Sequence, residues 1–457
     1  MEYCLAIDIG ASGGRHILGS IRDGRLETEE IYRFENGMET VEGSLVWDTE
    51  RLLGEVKNGL ARCREIGKIP TTVAIDTWGV DYVLRAEEKK PLLPVYAYRD
   101  GRTKNAVSEV EGLVGGGEEL YARTGIQTQS FNTIYQLHCH RGALAKARHF
   151  LMMPEYLSYA LTGVMKNEYT NATTTNLVNA KGKAWDKELL KSLDIDSGIF
   201  KELTAPPAAV GRFSPEIADE LGFDASVLLC PSHDTASAVA ACPISENGIF
   251  ISSGTWSLIG TEVSEPVLSD AARKANFTNE GGIDYRFRFL KNIMGMWLLQ
   301  GIRRSLNKKY TYDEMMSMAM ESDFDETFDP NAPKLNAPED MLTAVRGLLN
   351  MPELPVADAL SSVYHSLAAS YARAVKEIED ITGKVTDSIT IMGGGSKDGY
   401  LNRLTREYTG KRVLAGPTEA TAAGNLLSQF MYLDKDLTLE AGRELIKRSF
   451  DIQEVEC

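Results

Sequence analysis

Residues 5–21 read LAIDIGASGGRHILGSI, and this stretch decides the fold because two apolar runs flank a cluster of glycines. No Lys-Ser or Lys-Thr pair follows the glycines, which excludes a P-loop. A dinucleotide-binding fingerprint that starts at Gly10 would need glycines at positions 12 and 15, where the chain has Ser12 and Arg15. Both of these phosphate loops are therefore excluded, and a turn between two strands remains.

Apolar residues in this stretch alternate at period two, which is typical of strands. Leu5, Ile7 and Ile9 share one face, and a second run covers residues 17–21. Asp23-Gly24 is a hairpin signal before a third run at residues 26–31. The pattern predicts a three-stranded antiparallel meander, without the long helix that a Rossmann unit places after its glycines.

Composition limits the class of protein. With 457 residues the chain is long enough for two or three domains, and 43% apolar with 25% charged residues is typical of a soluble globular protein. A formal charge of -16 argues against a nucleic-acid partner. Six scattered cysteines without a CxxC pair predict reduced thiols and a cytoplasmic location. No run reaches the roughly 18 apolar residues of a membrane span, so we expect no membrane partner.

Beyond the meander the pattern becomes mixed α/β. It predicts helices at residues 52–66 and 151–161, the second closed by Gly163, and strands at 72–75 and 227–230. Turn-forming residues at 243–248 separate a helix of small residues from a new strand. We therefore predict two domains, residues 1–243 and 244–457.

The second half opens like the first. GIFISSGTWSLIG at residues 248–260 is again strand, small polar turn and strand. The pattern that follows predicts helices at 294–306, 312–320, 356–381, 400–408 and 422–431, a strand at 388–392 and a glycine loop at 393–395. Two halves with the same opening predict a duplicated α/β architecture with a cleft between the domains.

The two polar turns offer groups that bind phosphate. Glycine backbone N–H groups, the Ser12 hydroxyl and the Arg15 charge suit an anion, although a plain β-turn explains the glycines equally well. Asp8 suits water on a magnesium ion or the amides of the turn. Residues 252–255 offer the same ingredients, so two facing hairpins would clamp a polyphosphate.

Two further segments leave alternatives open. Asp234 begins a helix of small residues, where it is either a helix cap or an ionised base that accepts a hydroxyl proton. DTWGVD and YRDGR combine Trp78 and Asp81 with Arg99, Asp100 and Arg102, a mixture that suits a sugar or forms a surface ion-pair cluster. Glycines 393–395 permit close approach of an adenosine or form a plain loop.

Taken together and in this order, several segments resemble the FGGY carbohydrate kinases of the actin-like, ribonuclease H-like superfamily. They include DIGASGGR, AIDTWGVDYVL, AYRDGRT, FNTIYQL, EYTNATTTNLVN, SHDTASAV, SSGTWSLIG, TNEGG, KNIMGMWLLQ, MGGGS and AGPTEATAAGN. The resemblance implies an α/β fold of two duplicated ribonuclease H-like domains around an interdomain cleft. The first would hold a phosphate hairpin and most sugar contacts, and the second the other hairpin and the adenosine site.

The resemblance also implies roles for individual residues. Asp234 would be the catalytic base and Asp8 the residue near magnesium. The sugar would be bound by Trp78, Gly79, Asp81, His233, Thr235 and Asn292. ATP would be bound by Ala11, Ser12, Gly13, Gly14, Arg15, Thr255, Gln300, Gly393 and Gly394. Gly14 stands where close relatives commonly have Ser.

The activity implied is phosphoryl transfer from ATP, with Mg²⁺ as the cofactor. DTWGVD, SHDTASAV and KNIMGMWLLQ are typical of the members that phosphorylate L-rhamnulose at O1 in L-rhamnose catabolism. The alternatives are a kinase for another deoxyketose such as L-fuculose, a non-catalytic sugar sensor, and an actin-like ATPase. An actin-like ATPase would not explain the segments DTWGVD and SHDT. The expected partners are the sugar and ATP, for a monomer or a small homo-oligomer.

Overall fold

The computed structural model describes residues 2–87 and 90–456. The strands are β1 (Cys4–Gly10), β2 (Gly13–Arg22), β3 (Arg25–Glu35), β4 (Glu39–Val41), β5 (Ser44–Val46), β6 (Thr72–Thr77), β7 (Tyr82–Arg85), β8 (His149–Met152), β9 (Asn167–Glu168), β10 (Val178–Asn179), β11 (Ala184–Trp185), β12 (Leu203–Thr204), β13 (Ala208–Arg212), β14 (Ser226–Leu229), β15 (Ile249–Ser253), β16 (Trp256–Val263), β17 (Thr278–Gly281), β18 (Phe287–Met294), β19 (Ser388–Met392), β20 (Arg412–Ala415) and β21 (Gln453–Glu454).

The helices are α1 (Thr49–Glu65), α2 (Ala106–Val114), α3 (Gly117–Thr124), α4 (Thr133–His138), α5 (Arg141–Leu144), α6 (Met153–Thr162), α7 (Tyr169–Thr173), α8 (Lys187–Ser192), α9 (Pro215–Leu221), α10 (Asp234–Ala241), α11 (Asp270–Lys274), α12 (Trp297–Ser305), α13 (Tyr312–Met320), α14 (Met341–Leu349), α15 (Val356–Thr382), α16 (Gly399–Thr409), α17 (Ala420–Leu433) and α18 (Leu439–Ser449). Within the described residues, no helix is long and apolar enough to cross a bilayer.

The chain forms two compact units, each assembled from separate segments. Unit 1 comprises residues 2–241, Val263–Phe289 and Thr421–Ser449. Unit 2 comprises Cys242–Glu262, Leu290–Ala420 and residues 450–456. Both units contain helices and strands of a larger β-sheet, so the predicted two-domain α/β class is confirmed.

Unit 1 is built on a six-stranded sheet in the order β13-β14-β6-β1-β2-β3. The pairs β1–β2 and β2–β3 are antiparallel, which confirms the predicted meander. Apolar side chains of β1 pack in one core with Leu52, Val56 and Leu60 of α1, because these residues recur at helical spacing on one face. Asp48 accepts the Arg51 N–H and caps this helix.

Parallel pairing brings polar strand ends of unit 1 to one edge of its sheet. β6 lies parallel to β1 with Asp76 opposite Asp8, and β14 lies parallel to β6. Thr77 then forms a parallel bridge with His233. Because parallel strands end at the same edge of a sheet, residues that follow β1, β6 and β14 lie close together there.

Unit 2 repeats part of this plan. β15 pairs antiparallel with β16 and parallel with β19, and β20 pairs parallel with β19 and antiparallel with β21. Every residue of β19 is buried, as are most of β15. The long helix α15 buries an apolar stripe that includes Leu360, Leu367 and Tyr371, and the Tyr371 hydroxyl lies 2.6 Å from the Ser257 hydroxyl of β16.

Several predicted elements differ at their ends from those observed. The helix predicted at 294–306 starts at Trp297, because Met294 is the last residue of β18, and an apolar run alone does not separate strand from helix. Likewise residues 151–152 belong to β8, and α6 starts at Met153. The glycine loop continues into a short 3₁₀ helix, Gly394–Lys397.

Candidate active site

The first hairpin carries an ion pair at its turn. Asp8 and Arg15 are opposite each other in the β1–β2 register, and the guanidinium lies 2.7 Å from the carboxylate. Ser12, between the strands, is exposed. The hairpin is held from outside by Asn36, whose side-chain amide donates to the Gly10 carbonyl and whose backbone N–H donates to the Ser12 carbonyl.

Packing against a neighbouring aromatic ring explains why position 14 is a glycine. A Cβ placed on Gly14 would lie 2.2 Å from the Phe34 ring of β3, so a larger residue would displace that ring. Tight packing of the hairpin on Phe34 therefore favours glycine at position 14.

A second carboxylate lies beside the first. Asp76 is fully buried, and its Oδ2 accepts from the Asn425 side-chain amide at 2.6 Å. Among residues 2–87 and 90–456, no group hydrogen-bonds to its Oδ1. Burial raises the pKa of Asp76 well above its ordinary value, and the charges of Asp8 and Asp234 raise it further. The edge of the unit 1 sheet is thus strongly acidic, which is an environment that favours a bound cation.

The segment after β6 is held in a strained conformation. Val80 has φ 67°, which is costly for a β-branched residue. Its backbone N–H donates to Thr174, and its carbonyl accepts from Thr133 and Gln136. A Cβ on the preceding Gly79 would lie 3.0 Å from the Thr174 side chain. Surrounding contacts therefore fix this backbone at a predicted sugar-binding position, as strain at functional sites requires.

Asp81 organises the aromatic part of this segment. It is fully buried, and its Oδ2 accepts from the indole N–H groups of Trp47 and Trp78 and from the Tyr98 N–H. Its Oδ1 accepts from the Gln136 amide. Burial raises the pKa of Asp81, although these donors oppose the shift. Since its oxygens are already occupied by protein donors, Asp81 orients Trp78, which lies 4.2 Å from Trp47 between ring centroids.

The YRDGR residues divide into buried and exposed groups. Asp100 is buried and accepts from the Leu45 and Arg102 N–H groups, while Arg102 donates to Gln136 at 2.7 Å. Arg99 is exposed and donates to the Tyr98 hydroxyl. Most of the predicted polar set is therefore an internal network that supports Asp81.

Asp234 is the first residue of α10. Its Oδ1 accepts from both the backbone N–H and the hydroxyl of Thr235, at 2.6 and 3.1 Å, and lies 3.3 Å from His233 Nε2. No described residue hydrogen-bonds to its Oδ2, and 32% of the side chain is exposed. The N–H groups of Ala236 and Ser237 bond to the His233 carbonyl, so Asp234 does not cap them. One carboxylate oxygen is anchored and the other is available.

The second hairpin, in unit 2, is held by backbone hydrogen bonds. The Thr255 carbonyl accepts from the N–H groups of Gly295 and Trp297, which ties the turn to the start of α12. Gln300 lies on this helix and is half-buried. Asn292, on β18, has a buried Oδ1 that no described residue hydrogen-bonds. Its predicted sugar contact therefore has an unused acceptor available.

Glycines allow the loop after β19 to lie against this hairpin. Gly393 has φ 84°, and a Cβ there would lie 2.8 Å from the Ser253 carbonyl oxygen. A Cβ on Gly395 would lie 2.0 Å from the Ser253 hydroxyl, whereas a Cβ on Gly394 would meet nothing within 4 Å. Gly393 and Gly395 thus serve packing, and Gly394 faces open space.

Of the predicted site residues, unit 1 contains Asp8, the hairpin residues 11–15, Trp78, Gly79, Asp81 and residues 233–235. Unit 2 contains Thr255, Asn292, Gln300, Gly393 and Gly394. Sequence reasoning missed Asp76, Asn425, Glu280 and Arg288. For Asp76 a signal exists, because like Asp8 it comes near the end of a buried strand.

Comparisons with known proteins place the chain in a family. Residues 3–241 match the FGGY family of carbohydrate kinases, N-terminal domain, and residues 249–433 match the C-terminal domain. A protein of Halalkalibacterium halodurans named rhamnulokinase is 44% identical, covering 99% of this chain and 98% of its own. The rhamnulokinase of Bacillus subtilis is 38% identical, covering 98% and 94%.

Solved structures show the same fold at low identity. A ligand-bound xylulose kinase from Lactobacillus acidophilus superposes with a TM-score of 0.82 at 16% identity, covering 100% of this chain and 93% of its own. Plasmodium falciparum glycerol kinase with ADP gives 0.78 at 14% identity, covering 100% and 94%. The two domain matches and the 44% identical relative show that the chain belongs to the FGGY family of carbohydrate kinases.

Proposed function

We propose that this kinase transfers the γ-phosphoryl group of ATP to O1 of L-rhamnulose, giving L-rhamnulose 1-phosphate and ADP in L-rhamnose catabolism. Relatives named rhamnulokinase that match over nearly the whole chain support this substrate. The observation that carries the chemistry is Asp234, whose Oδ1 is anchored by Thr235 while Oδ2 has no described partner.

Asp234 acts as the general base. Its Oδ2 accepts the proton of the O1 hydroxyl as that oxygen attacks the γ-phosphorus, and the bond to the β-phosphate oxygen breaks to release ADP. Such a base contributes about 10² to 10⁴ in rate, or roughly 3 to 5.5 kcal/mol. Positioning and stabilisation of the phosphoryl charge supply the remainder.

Around the base, the sugar is bound by Gly79, His233 and Thr235, with Asn292 supplying its buried acceptor oxygen. Trp78 offers an apolar ring face to the C–H side of the sugar. Asp81 contributes by holding Trp78 through its indole N–H at 2.9 Å. The strained backbone at Val80 keeps this segment in one conformation.

For ATP, the proposal assigns the hairpin residues Ala11, Ser12, Gly13, Gly14 and Arg15 of unit 1 and Thr255, Gln300, Gly393 and Gly394 of unit 2. Backbone N–H groups at glycine-rich turns suit phosphate oxygens. The open space beside Gly394 leaves room for a ligand at that glycine.

Magnesium is the expected cofactor, and the acidic edge of unit 1 fits it. Asp8 would hold the ion. Asp76 beside it has a buried Oδ1 without a hydrogen bond in the described part of the chain, as expected near a site for a cation. When bound, magnesium offsets the negative charge of the ATP phosphates. The proposal also places the enzyme in the cytoplasm, where ATP is available and where described cysteines without disulfides stay reduced.

A coupled assay of ADP release across a panel of ketoses tests the substrate. We expect the highest kcat/KM with L-rhamnulose, and a clear preference for L-fuculose would replace that substrate by the second deoxyketose. Sugar binding without ADP release by the wild type would favour a sensor, while ADP release independent of any sugar would favour an actin-like ATPase.

A further inference from the structure

A buried guanidinium lies beside the proposed base. Arg288, in the unit 1 part of β18, is 0% exposed. Its Nε donates to the Gly281 carbonyl at 3.0 Å, and one terminal nitrogen lies 3.1 Å from the Glu280 carboxylate. A charge buried this deeply is costly unless it is paired, so its retention needs an explanation.

The other terminal nitrogen of Arg288 faces a histidine. It lies 3.2 Å from His233 Nδ1. Arginine carries five donors and no acceptor, so Nδ1 must accept this hydrogen bond through its lone pair. In a neutral ring the proton is then on Nε2, which is the nitrogen 3.3 Å from Asp234 Oδ1.

Glu280 is the competing partner, since its carboxylate also lies 3.3 Å from His233 Nδ1. If the ring carried its proton on Nδ1 and donated it to Glu280, this N–H would face the N–H donors of Arg288, and two donors cannot hydrogen-bond to each other. If that ring were neutral, its Nε2 lone pair would also face the Asp234 carboxylate, which is repulsive. Glu280 is instead paired with Arg288 at 3.1 Å. Burial raises the pKa of Glu280, and the charge of Arg288 is the largest effect that opposes it, so the pKa lies below its ordinary value.

We infer that Arg288, paired with Glu280, is a positioning residue that acts through His233, fixing the tautomer in which the proton is on Nε2, the ring nitrogen 3.3 Å from Oδ1 of Asp234. Oδ1 then has two hydrogen-bond donors from Thr235 and the protonated Nε2 of His233 within 3.3 Å. This leaves Oδ2 as the oxygen that receives the substrate proton. The catalytic consequence rests on the proposed function, whereas the tautomer does not.

The tautomer is measured by NMR on the full chain with ¹⁵N-labelled histidine, at neutral pH and without substrate. The chain has six histidines, and the His233 signals are assigned by their loss in His233→Gln. We expect a protonated Nε2 and an unprotonated Nδ1 in the wild type. A protonated Nδ1 in the wild type would overturn the inference, whatever the enzyme phosphorylates.

Two substitutions at Arg288 extend the test. In Arg288→Met, Glu280 is the described partner that remains at Nδ1, so we expect Nδ1 to gain a proton. We expect kcat to fall by about 10-fold to 10²-fold and KM for ATP to stay within about twofold. Arg288→Lys keeps a donor and should retain the Nε2–H tautomer and most of the turnover. An unchanged Nδ1 in Arg288→Met, or an equal loss of kcat in both variants with unchanged tautomers, would contradict the role. If Arg288→Met does not fold, the wild-type and Arg288→Lys spectra still decide it.

Discussion

The β1–β2 hairpin of unit 1 and the β15–β16 hairpin of unit 2 share a topology, since each first strand pairs antiparallel with the next and parallel with a later one. Their chemistry differs. In unit 1 the parallel neighbour places Asp76 beside Asp8, whereas in unit 2 it leads into glycines that pack on Ser253. The unit 1 hairpin therefore presents charged side chains, whereas the unit 2 hairpin presents hydroxyl groups and lies close to the backbone of the glycine loop.

The largest effect is expected from Asp234→Asn, because the acidic edge of unit 1 is where we place the chemistry. Turnover should fall by about 10² to 10⁴ while the melting temperature stays close to that of the wild type. Steady-state ADP release and thermal melting check this.

Asp270→Asn is the matched control, since Asp270 also begins a helix but lies at the surface with Arg273 and Lys274. It should leave turnover unchanged. An Asp234→Asn protein that melts much earlier yet keeps its specific activity would show that Asp234 serves only the helix.

The charged hairpin should also be sensitive to pH. His16 of β2 is fully buried, and burial lowers its pKa from 6.5 to about 4. Because the unfolded chain binds a proton between these values and the folded chain does not, stability is lost as pH falls from about 6.5 to about 4, by up to about 3 kcal/mol.

Urea unfolding of the wild type and of His16→Gln, measured across this pH range, checks the sensitivity. Gln keeps a donor for the Val56 carbonyl, which His16 contacts at 3.2 Å, but does not titrate. The wild type should lose more stability than the variant. If the free energy of unfolding depended on pH in the same way in both proteins, a neutral buried His16 would not be the cause of the acid sensitivity.

In the uncharged hairpin, neighbouring glycines should respond differently. Gly393→Ala introduces a Cβ 2.8 Å from the Ser253 carbonyl at φ 84°, so we expect a loss of about 1–3 kcal/mol of stability. Gly394→Ala points into open space and should leave the melting temperature unchanged.

Gly394→Ala should nevertheless raise the KM for ATP about tenfold, or about 1.4 kcal/mol, if the nucleotide occupies that space. Thermal melting and ATP titration separate the two glycines. A Gly394→Ala enzyme with wild-type KM for ATP would remove Gly394 from the proposed nucleotide site.

The smallest effects are expected from the paired hydroxyl deletions Ser12→Ala and Thr255→Val. Each should raise the KM for ATP by about three- to tenfold, corresponding to a lost hydrogen bond of about 1 kcal/mol, with kcat for the sugar affected less. ATP titrations at saturating sugar check both. An effect confined to one variant would mean that only that hairpin contacts phosphate.

Local patterns in the sequence predicted the fold well. Alternation at Leu5, Ile7 and Ile9 identified β1, and the glycine at 163 marked the end of α6, because strand burial and helix capping act within a few residues. Met294 was assigned wrongly, since the apolar run of β18 continues into α12 with only Gly295 and Met296 between them.

Site chemistry was predictable only where it is local. Asp234 and Asp8 stand in recognisable turns, but Asn425 reaches Asp76 across 349 residues and Arg288 reaches His233 across 55. Asp81 was predicted to contact the sugar, but three of its four protein donors, on Trp47, Tyr98 and Gln136, come from positions that only the folded chain brings together. Hydrogen bonds between residues far apart in the chain produce no short-range pattern in the sequence, so sequence reasoning could not predict them.

The position of the phosphate in the product tests the central claim most directly. L-Rhamnulose carries two protons on C1 and one on each secondary carbon, so the ³¹P signal of the product reports the site through its splitting by protons. We predict a triplet, from phosphate on O1, that forms together with ADP. A doublet, from phosphate on a secondary oxygen, or no phosphorylated sugar at all would contradict the account.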